Sequence, residues 1–428
     1  MNMTLVGLIG LVALLVLIFL RIPVGFAMGI VGFVGLWILK GSSQAAMVVG
    51  LEPYSQVAVY TFSCVPLFVF MGTLIANTGI GKELFDFAAS WLGHIRGGLG
   101  MAATTACGVF AAICGHSQAT AVTMSKVSYP QLVAHGYDKG IACGSLAAGG
   151  SIGVMIPPSM GFILYGMLTQ ESIGKLFMAG LLPGILQVVL FCIVFFLLGM
   201  LAPKKVPSAP KSTWKERFVT LAKCWPFFVL IIVVLGGIYA GIFTTTEAGA
   251  IGAFGAVIVA AIDRRLTLSN IIESMRDAVQ TCGMIIMMLV GAHIFMRFLT
   301  AADIPNTINM FISALNIPRG LLLLVIVLIY MVLGCVFDIF AAILITVPIF
   351  YPVMVSLGFS GIWFGVLVVG LMELAEITPP IGMNVFVLSN ACKLPVGTIF
   401  KGVIWFILAD VVFIAILCFW PEFTLLLQ

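Results

Sequence analysis

Two stretches of this chain decide its fold: "SIGVMIPPSMGF" (Ser151–Phe162) and "ELAEITPPIGMN" (Glu373–Asn384). Each lies within a long apolar run and contains two adjacent prolines. Proline has no N–H group and its ring clashes with the preceding turn, so each pair predicts a break in a helix. A break at membrane depth must be lined by protein or water, because lipid cannot satisfy free backbone groups. The predicted breaks are at Pro157, Pro158, Pro379 and Pro380.

The composition predicts a membrane protein. Hydrophobic residues make up 62% and charged residues 8% of the 428 residues, and the mean hydropathy is +1.23. A soluble domain has about 25% charged residues, so we expect a lipid bilayer to surround this chain. The net charge of +4 comes from basic residues concentrated in a few loops, and nothing indicates a nucleic-acid partner. The fold class that follows is an all-α polytopic membrane protein.

Apolar runs of membrane-spanning length recur along the chain. The first run has no basic residue before it and no small-residue cleavage site, so we interpret it as a retained span and not as a secretion signal. Spans are predicted near residues 4–20, 22–39, 57–78, 141–169, 176–200, 226–242, 245–262, 279–299, 361–391 and 398–420.

Two further regions, 97–131 and 319–352, are too long for one crossing and are interrupted in their middle. The interruptions read "CGHSQAT" (Cys114–Thr120) and "CVFDIFA" (Cys335–Ala341). We predict that each region is a re-entrant helical hairpin, with the interruption at its tip. Short amphipathic segments, 81–94 and 303–316, precede the hairpins and are expected to be interfacial arm helices.

The two halves of the chain resemble each other at a fixed offset. Gly98 recurs as Gly320 and Pro157–Pro158 as Pro379–Pro380, an offset of 222 residues. This register predicts an internal duplication. Each half has five predicted spans, an odd number, so the second copy is expected to be inverted. Inverted repeats with broken helices are typical of secondary transporters, whose site lies at the repeat interface.

The segment that joins the halves, residues 202–223, contains six Lys or Arg residues and one Glu. Loops rich in Lys and Arg remain on the cytoplasmic side of a membrane. We therefore place this segment in the cytoplasm, and counting spans outward places both termini on the opposite side.

The breaks and the hairpin tips together predict two cation sites, because backbone carbonyls suit a hard cation such as Na⁺ and helix N-termini suit an anion. At least two coupling ions are expected. The first site combines Gly115, Ser117, Gln118 and Thr120 of one tip with Gly153, Met155, Ile156 and Pro158. The second combines Phe337 and Asp338 of the other tip with Thr378, Pro379, Gly382 and Met383. The candidates for substrate binding are His116, Ser159, Glu376 and Asn384.

Other interpretations of these side chains stay open. Ser117 and Thr120 can bond back to the carbonyls of their own helix. Glu373 and Glu376 lie three residues apart on one helix face, where they can share a proton or a cation, or bond to a neighbouring helix. His293 and Arg297 either face an anionic substrate or extend toward the interface.

The order of these motifs resembles a known family. The chain has "IPPS" (Ile156–Ser159), "FTTTEA" (Phe243–Ala248), "VPIFYP" (Val347–Pro352) after Asp338, and "TPPIGMNVF" (Thr378–Phe386). It resembles, over essentially its whole length, the large membrane (M) subunit of tripartite ATP-independent periplasmic (TRAP) transporters. One departure is His116, where a small hydroxyl residue or glycine is expected.

The resemblance implies an elevator-type transporter of the ion-transporter superfamily, in which a transport domain slides across the membrane against a fixed scaffold. It implies a location in the bacterial inner membrane, with both termini in the periplasm. It implies Na⁺-coupled uptake of an organic acid anion, carboxylate or sialic-acid-like, that a periplasmic binding protein delivers. It also implies a small membrane subunit, expected here as a separate chain because this one begins with the large subunit's first span. No residue selects the particular organic acid.

The division of the chain that the resemblance implies alternates between scaffold segments, which stay fixed, and transport-domain segments, which move. It assigns 1–96 to scaffold spans and first arm helix, 97–169 to transport-domain half 1, 170–225 to a scaffold span and the basic linker, 226–318 to scaffold spans and second arm helix, 319–391 to transport-domain half 2 and 392–428 to the final span.

Two alternatives compete with this function. One is a stand-alone divalent-anion/Na⁺ symporter of the same superfamily. The other is a membrane-embedded enzyme that uses Glu373, Glu376 or His116, which is disfavoured because the sequence has no zinc motif, serine-centred elbow or glycine-rich phosphate loop. We therefore predict that the protein is not an enzyme.

Overall fold

The computed structural model describes residues 3–314 and 318–427, and nearly all of these residues lie in helices. Two short 3₁₀ helices, Tyr60–Ser63 and Pro421–Leu425, accompany the α-helices. The α-helices are α1 (Met3–Phe19), α2 (Val24–Lys40), α3 (Ser42–Val57), α4 (Cys64–Asn77), α5 (Gly81–Leu92), α6 (Gly98–Cys114), α7 (Ser117–Ala134), α8 (Lys139–Met155), α9 (Met160–Thr169), α10 (Ile173–Leu201), α11 (Trp214–Tyr239), α12 (Thr245–Ile262), α13 (Leu268–Ala301), α14 (Ile304–Ala314), α15 (Arg319–Gly334), α16 (Ile339–Ser356), α17 (Gly361–Ile377), α18 (Met383–Cys392) and α19 (Val396–Phe419).

The helices confirm a multi-pass membrane protein. Within the described residues, 8 helical segments are long and apolar enough to cross a bilayer, and α1 and α2 are shorter apolar helices. The predicted span 279–299 belongs to α13, which has 34 residues and begins earlier, at Leu268. Charged residues at Glu273, Arg276 and Asp277 shorten the apolar run without ending the helix.

Both predicted helix breaks and both predicted tips are confirmed. The first proline pair lies between α8 and α9, and the second lies between α17 and α18. One tip occupies residues 115–116, between α6 and α7, and the other occupies residues 335–338, between α15 and α16. The re-entry of these hairpins into the bilayer stays a prediction.

The helix boundaries follow the offset between the halves. Ser117–Ala134 (α7) corresponds to Ile339–Ser356 (α16), and Lys139–Met155 (α8) to Gly361–Ile377 (α17), each shifted by 222 residues at both ends. The common register agrees with a duplication. The inverted orientation of the second half stays a prediction.

Helix α3 is absent from the sequence prediction, because Ser42–Val57 contains no long apolar run. Its buried Glu52 accepts a hydrogen bond of 3.1 Å from Nε of Arg297 on α13. Arg297 therefore has a carboxylate partner in the fold, which neither of the two predicted roles for this residue included.

The segment predicted as the first arm helix is helical and forms α5, and the described part of the second forms α14; residues 315 and 316 of that prediction lie outside the described residues. The interfacial position of both helices stays a prediction. Two arginines attach α5 to its neighbours. Arg265 forms an ion pair with Glu83. The guanidinium of Arg217 lies 5.5 Å from the ring centre of Trp91 and 5.0 Å from that of Trp214, within the range of cation–π attraction.

Small residues allow α8 and α19 to approach closely. A Cβ atom added to Gly144 would lie 2.6 Å from the backbone nitrogen of Val403, and one added to Gly402 would meet the carbonyl oxygen of Gly140. Glycines spaced four apart on a membrane helix permit this kind of backbone contact. The contact fixes α8, and therefore the first helix break, against α19.

This contact leads to a testable prediction. Replacing Gly144 with alanine should lower the thermal unfolding midpoint, because overpacking typically costs about 1–3 kcal/mol. Gly236→Ala is the matched control, since a Cβ at Gly236 meets nothing within 4 Å. Alanine also favours helix over glycine, so the control should be neutral or slightly stabilised. Fluorescence-monitored unfolding in detergent measures both variants, and equal midpoints would contradict the close contact.

Candidate functional site

The first hairpin tip and the second helix break meet at a buried serine. The hydroxyl of Ser117, the first residue of α7, donates a hydrogen bond of 2.5 Å to Oε2 of Glu376. Nδ2 of Asn384 donates to the Ser117 hydroxyl at 2.7 Å and to the carbonyl of Ala147 at 3.2 Å. All three side chains are buried, with at most 3% of their surface exposed. The first tip is thus bonded directly to both sides of the second break.

Glycine makes the approach of the first tip possible. Gly115 has a φ of 59° and ends α6 in the left-handed conformation, which glycine adopts without strain. A Cβ at this position would meet the carbonyl oxygen of Pro158. The Gly115 carbonyl in turn accepts a hydrogen bond of 3.3 Å from the backbone nitrogen of Met160. The tip therefore lies directly on the first helix break.

The predicted first cation site is brought together in part by these contacts. A Cβ at Gly153 would lie 3.0 Å from the Thr120 hydroxyl and 3.1 Å from the His116 carbonyl. The Thr120 hydroxyl donates to that carbonyl at 2.9 Å, which is the backward bond of the alternative interpretation. The Ser117 hydroxyl differs from the Thr120 hydroxyl, because it donates to the Glu376 carboxylate of another helix and not to a carbonyl of its own segment. The other predicted residues border the break or the tip: Met155 ends α8, Ile156 and Pro158 lie in the gap, and Gln118 is partly exposed on α7.

The predicted second cation site surrounds the second break. Oδ1 of Asp338 accepts a hydrogen bond of 3.1 Å from the backbone nitrogen of Ala341, so the aspartate caps α16. The Thr378 hydroxyl donates to the carbonyl of Leu374 at 2.6 Å. Sγ of Cys335 lies 3.5 Å from the carbonyl oxygen of Pro379, which joins the second tip to the second break. Phe337 is buried at the tip, while Gly382 and Met383 begin α18.

Glu376 connects the two predicted sites. It accepts a hydrogen bond from Ser117 of the first tip, and it lies on α17 just before the break that Cys335 of the second tip contacts. The sequence prediction assigned Ser117 to the first cation site and Glu376 to the substrate-binding candidates. The structure therefore describes one connected centre with two tips.

The remaining substrate-binding candidates border this centre. Ser159 caps α9 by accepting a hydrogen bond of 3.3 Å from the backbone nitrogen of Phe162. The His116 ring packs edge-on against Phe340, with ring centres 5.4 Å apart. His116 also faces a cavity of about 250 Å³ between the first tip, α4 and α13. Asp277, Gln280 and Thr281 of α13 supply polar groups to the same cavity.

Sequence reasoning missed two buried polar residues near the breaks, Gln187 on α10 and Asp410 on α19. Nε2 of Gln187 donates to Oδ1 of Asp410 at 3.0 Å. A signal was available, because each is a lone polar residue in the interior of a long apolar helix, where such residues are usually paired or functional.

The chemistry of the centre suits a hard cation. Within residues 3–314 and 318–427 no group of three or more His, Cys, Asp or Glu side chains could hold a metal ion. The centre offers hydroxyl, carboxylate, amide and backbone oxygens, the ligands that hard cations prefer. The residues present therefore fit Na⁺ and do not fit a soft transition metal.

The family model and the named relatives that match this chain all belong to one family of transporters. The family model described as "Tripartite ATP-independent periplasmic transporter, DctM component" matches residues 11–423. A C4-dicarboxylate TRAP transporter large permease protein of Pseudomonas aeruginosa is 32% identical over 92% of this chain and 92% of its own. A sialic acid TRAP transporter large permease protein of Vibrio cholerae is 29% identical over 96% of each chain. The crystal structure of the Alcanivorax borkumensis YdaH transporter has a TM-score of 0.62 at 14% identity, covering 90% of this chain and 89% of that one, and is similar in fold.

The bond between the first tip and the second break can be tested by a double-mutant cycle. Ser117→Ala removes the hydrogen bond and Glu376→Gln weakens it, because glutamine keeps an acceptor oxygen but loses the charge, so their effects on unfolding free energy should be non-additive by about 0.5–3 kcal/mol. Ser151→Ala combined with Glu376→Gln is the matched control, because Ser151 donates within its own helix to Ala148. Denaturant unfolding in detergent gives the four free energies of each cycle. Additive effects for Ser117 and Glu376 would contradict the contact.

Proposed function

The chain belongs to the family of tripartite ATP-independent periplasmic transporters as its DctM component, and from this membership we propose that it performs Na⁺-coupled uptake of an organic acid anion by an elevator movement. Transport by a large permease, and not catalysis, is what the family and its named relatives have in common. Na⁺ coupling, the elevator and the anionic substrate are the proposed parts.

The contact of Ser117 with Glu376 and Asn384 is the observation on which the proposal depends. It joins the tip of the first hairpin to the broken helix of the other half at a fully buried point. Broken helices that meet between two repeats are where secondary transporters bind their ions and substrates. The two hairpins and the two broken helices, held together by such contacts, can move as one transport domain past the scaffold helices. Ions and substrate bound to this domain would move with it.

We propose two Na⁺ positions at this centre. The first uses oxygens from Gly115 to Thr120 and from Gly153 to Pro158, and the second uses Asp338 with Thr378 to Met383. When bound, Na⁺ supplies the binding energy that couples its gradient to transport. Asp338 keeps its cap on α16 through Oδ1, so its second oxygen is the side-chain ligand that we assign to the ion.

The N-termini of α9 and α18 suit the substrate. Both helices begin immediately after a break, and the N-terminus of a helix attracts anions. Ser159 and Asn384 lie at these two beginnings. Oδ1 of Asn384 accepts no hydrogen bond from the described residues, so a substrate hydroxyl or amide can donate to it. We propose that His116 and the 250 Å³ cavity beside it form a route between this centre and α13.

We further propose the partners that a transporter of this family requires: a small membrane subunit and a periplasmic binding protein that delivers the substrate. The basic linker, residues 202–223, would face the cytoplasm of a bacterium, and both termini the periplasm. The stand-alone symporter is not favoured, because the family model and the named relatives are those of tripartite systems. Those relatives carry different substrates by name, so the particular organic acid is left to experiment.

Ion coupling is tested by uptake into proteoliposomes that contain this chain, the small subunit and the binding protein. Replacing Na⁺ with K⁺ should reduce uptake at least about tenfold. Ser117→Ala and Asp338→Ala should each raise the half-saturating Na⁺ concentration about tenfold, since losing one charge-assisted oxygen contact costs about 1–3 kcal/mol.

Ser151→Ala, with its hydroxyl bonded inside α8, serves as the control and should keep the wild-type Na⁺ response. Uptake that persists in K⁺ would overturn the coupling. Uptake without the binding protein would favour the stand-alone symporter.

The second break is tested by replacing Pro379 and Pro380 with alanine. Alanine restores the missing N–H group and continues the helix, which hides the carbonyls and the α18 N-terminus. We expect uptake to fall to background while the protein still folds. Pro226→Ala, within the continuous helix α11, is the control and should retain uptake. Full uptake by the alanine pair would remove the break from the mechanism.

A further inference from the structure

A buried arginine without a carboxylate partner lies where the start of α11 meets the end of α5. Arg217 exposes 7% of its surface. Its Nε donates a hydrogen bond of 3.1 Å to the carbonyl of Ser90 on α5. Within residues 3–314 and 318–427 no acidic side chain forms an ion pair with it. Burying a charge without a counter-charge is strongly unfavourable, so we expect an anion from outside the chain to meet this guanidinium.

Two nitrogen donors of this region also lack an acceptor. Nη2 of Arg217 and Nε1 of Trp91 are buried and donate to none of the described residues. They belong to one cluster, because the guanidinium carbon of Arg217 lies 5.5 Å from the ring centre of Trp91. Buried polar groups nearly always have a hydrogen-bond partner. Two unpaired donors beside an unpaired positive charge therefore indicate an anion with several acceptor oxygens.

The outer side of the cluster is an exposed aromatic face, formed by Trp214 and Phe218. The ring centre of Trp214 lies 5.0 Å from the guanidinium carbon of Arg217, and 65% of the Trp214 surface is exposed. Phe218, one turn later on α11, stacks on Trp214 and is also exposed. Exposed aromatic rings of membrane proteins are enriched at the level of the lipid headgroups. The aromatic face therefore gives the cluster a surface that meets lipid.

The position of Arg217 along α11 corresponds to the same level of the membrane. The last charged residue of α11 is Lys223, and an uncharged, mostly apolar run follows to the end of the helix at Tyr239. Arg217 precedes this run by about two helical turns. The boundary between hydrocarbon and headgroups lies where such a run begins.

The charge around the cluster favours a ligand with a net negative charge. Lys211 and Lys215 are exposed and lie close to Arg217 in the sequence. Glu216 is the one acidic residue of the basic linker, residues 202–223. Its Oε2 accepts a hydrogen bond of 2.7 Å from the backbone nitrogen of Thr213, so it caps α11. Basic residues beside a membrane span attract anionic lipids.

We propose that Arg217 and Trp91 bind the phosphate group of an anionic phospholipid, and that Lys211 and Lys215 select a negatively charged headgroup. A guanidinium suits phosphate because it can donate two parallel hydrogen bonds to its oxygens. Trp214 covers the guanidinium and turns aside for the phosphate to reach Nη2. The acyl chains of the lipid pack against the aromatic face. A zwitterionic lipid offers the same phosphate but adds a positive group that the lysines repel.

The inference goes beyond the proposed uptake and does not depend on it. A lipid bound to Arg217 would hold α11 against α5, because the Nε of Arg217 is already bonded to Ser90. Helix α5 is followed by α6, the first helix of the first hairpin. An anionic membrane is therefore expected to stabilise the segment from which that hairpin starts.

Native mass spectrometry of the delipidated full-length protein, titrated with phosphatidylglycerol or phosphatidylcholine, measures the site. We expect the wild type to bind one phosphatidylglycerol about tenfold more tightly than phosphatidylcholine. Trp91→Phe keeps an aromatic ring and removes the N–H donor, whereas Arg217→Gln removes the charge. Each variant should weaken phosphatidylglycerol binding about tenfold, because each loses a hydrogen bond to a charged phosphate.

Matched controls remove the same groups elsewhere in the protein. Trp225→Phe changes an exposed tryptophan of α11, and Arg276→Gln removes an exposed charge from α13. Both should bind phosphatidylglycerol like the wild type. The double variant Lys211→Gln/Lys215→Gln changes exposed side chains, so it is expected to fold, and it should reduce the preference for phosphatidylglycerol about threefold. Fluorescence-monitored unfolding in detergent checks that each variant is folded.

Each outcome decides the proposal. Weaker phosphatidylglycerol binding by folded Trp91→Phe or Arg217→Gln, with unchanged controls, supports it. Wild-type binding by both folded variants overturns it, and so does an unchanged lipid preference in the double lysine variant. Equal binding of the two lipids by the wild type overturns the anionic headgroup.

Two further results would assign the cluster to another partner and overturn the lipid site. Displacement of phosphatidylglycerol by millimolar inorganic phosphate would identify a free anion as the ligand. Loss of the small membrane subunit from Arg217→Gln, with unchanged lipid binding, would identify that subunit as the partner. Failure of Na⁺-driven uptake by the wild-type system would defeat the proposed function and leave the lipid result unaffected.

Discussion

The backbone at membrane depth must find its hydrogen-bond partners within the protein, and this constraint organises the centre of the molecule. Two proline pairs end helices inside apolar runs, which frees backbone groups that lipid cannot bond. The first hairpin tip meets this need, because the Gly115 carbonyl accepts from the backbone nitrogen of Met160 just beyond the first break. The second tip makes the corresponding approach, with Cys335 beside the Pro379 carbonyl. Tips and breaks therefore come together as pairs.

The same constraint separates two glutamates that share a helix. Glu376 receives a hydrogen bond from Ser117, whereas both carboxylate oxygens of Glu373 are buried and accept none from the described residues. One carboxylate joins the first tip to α17, and the other is buried within the helix bundle. Both lie at the end of α17, next to the second break.

The local features were predictable from the sequence because each has a local cause. Proline pairs mark the breaks, and glycine with polar residues between apolar runs marks the first tip. Helix α3 was missed because Ser42–Val57 is too polar to register as a span. For Ser117 and Thr120 the sequence left open whether each hydroxyl bonds to a carbonyl of its own helix. The Thr120 hydroxyl does so, through the His116 carbonyl, whereas the Ser117 hydroxyl bonds to Glu376 on another helix. That distinction depends on residues more than two hundred positions away, which no local pattern contains.

The sequence by itself determined that the chain lies in a membrane, where its helices break, where its hairpins turn and that its halves share a register. These properties follow from composition, proline and glycine chemistry, and the length of apolar runs. Only the tertiary structure decided which tip meets which break, that Glu376 bonds to Ser117 of the first tip, and that Gln187 of α10 bonds to Asp410 of α19. The physical reason is that these contacts depend on how closely helices pack at glycines such as Gly144 and Gly184, and that packing is set jointly by residues far apart in the chain.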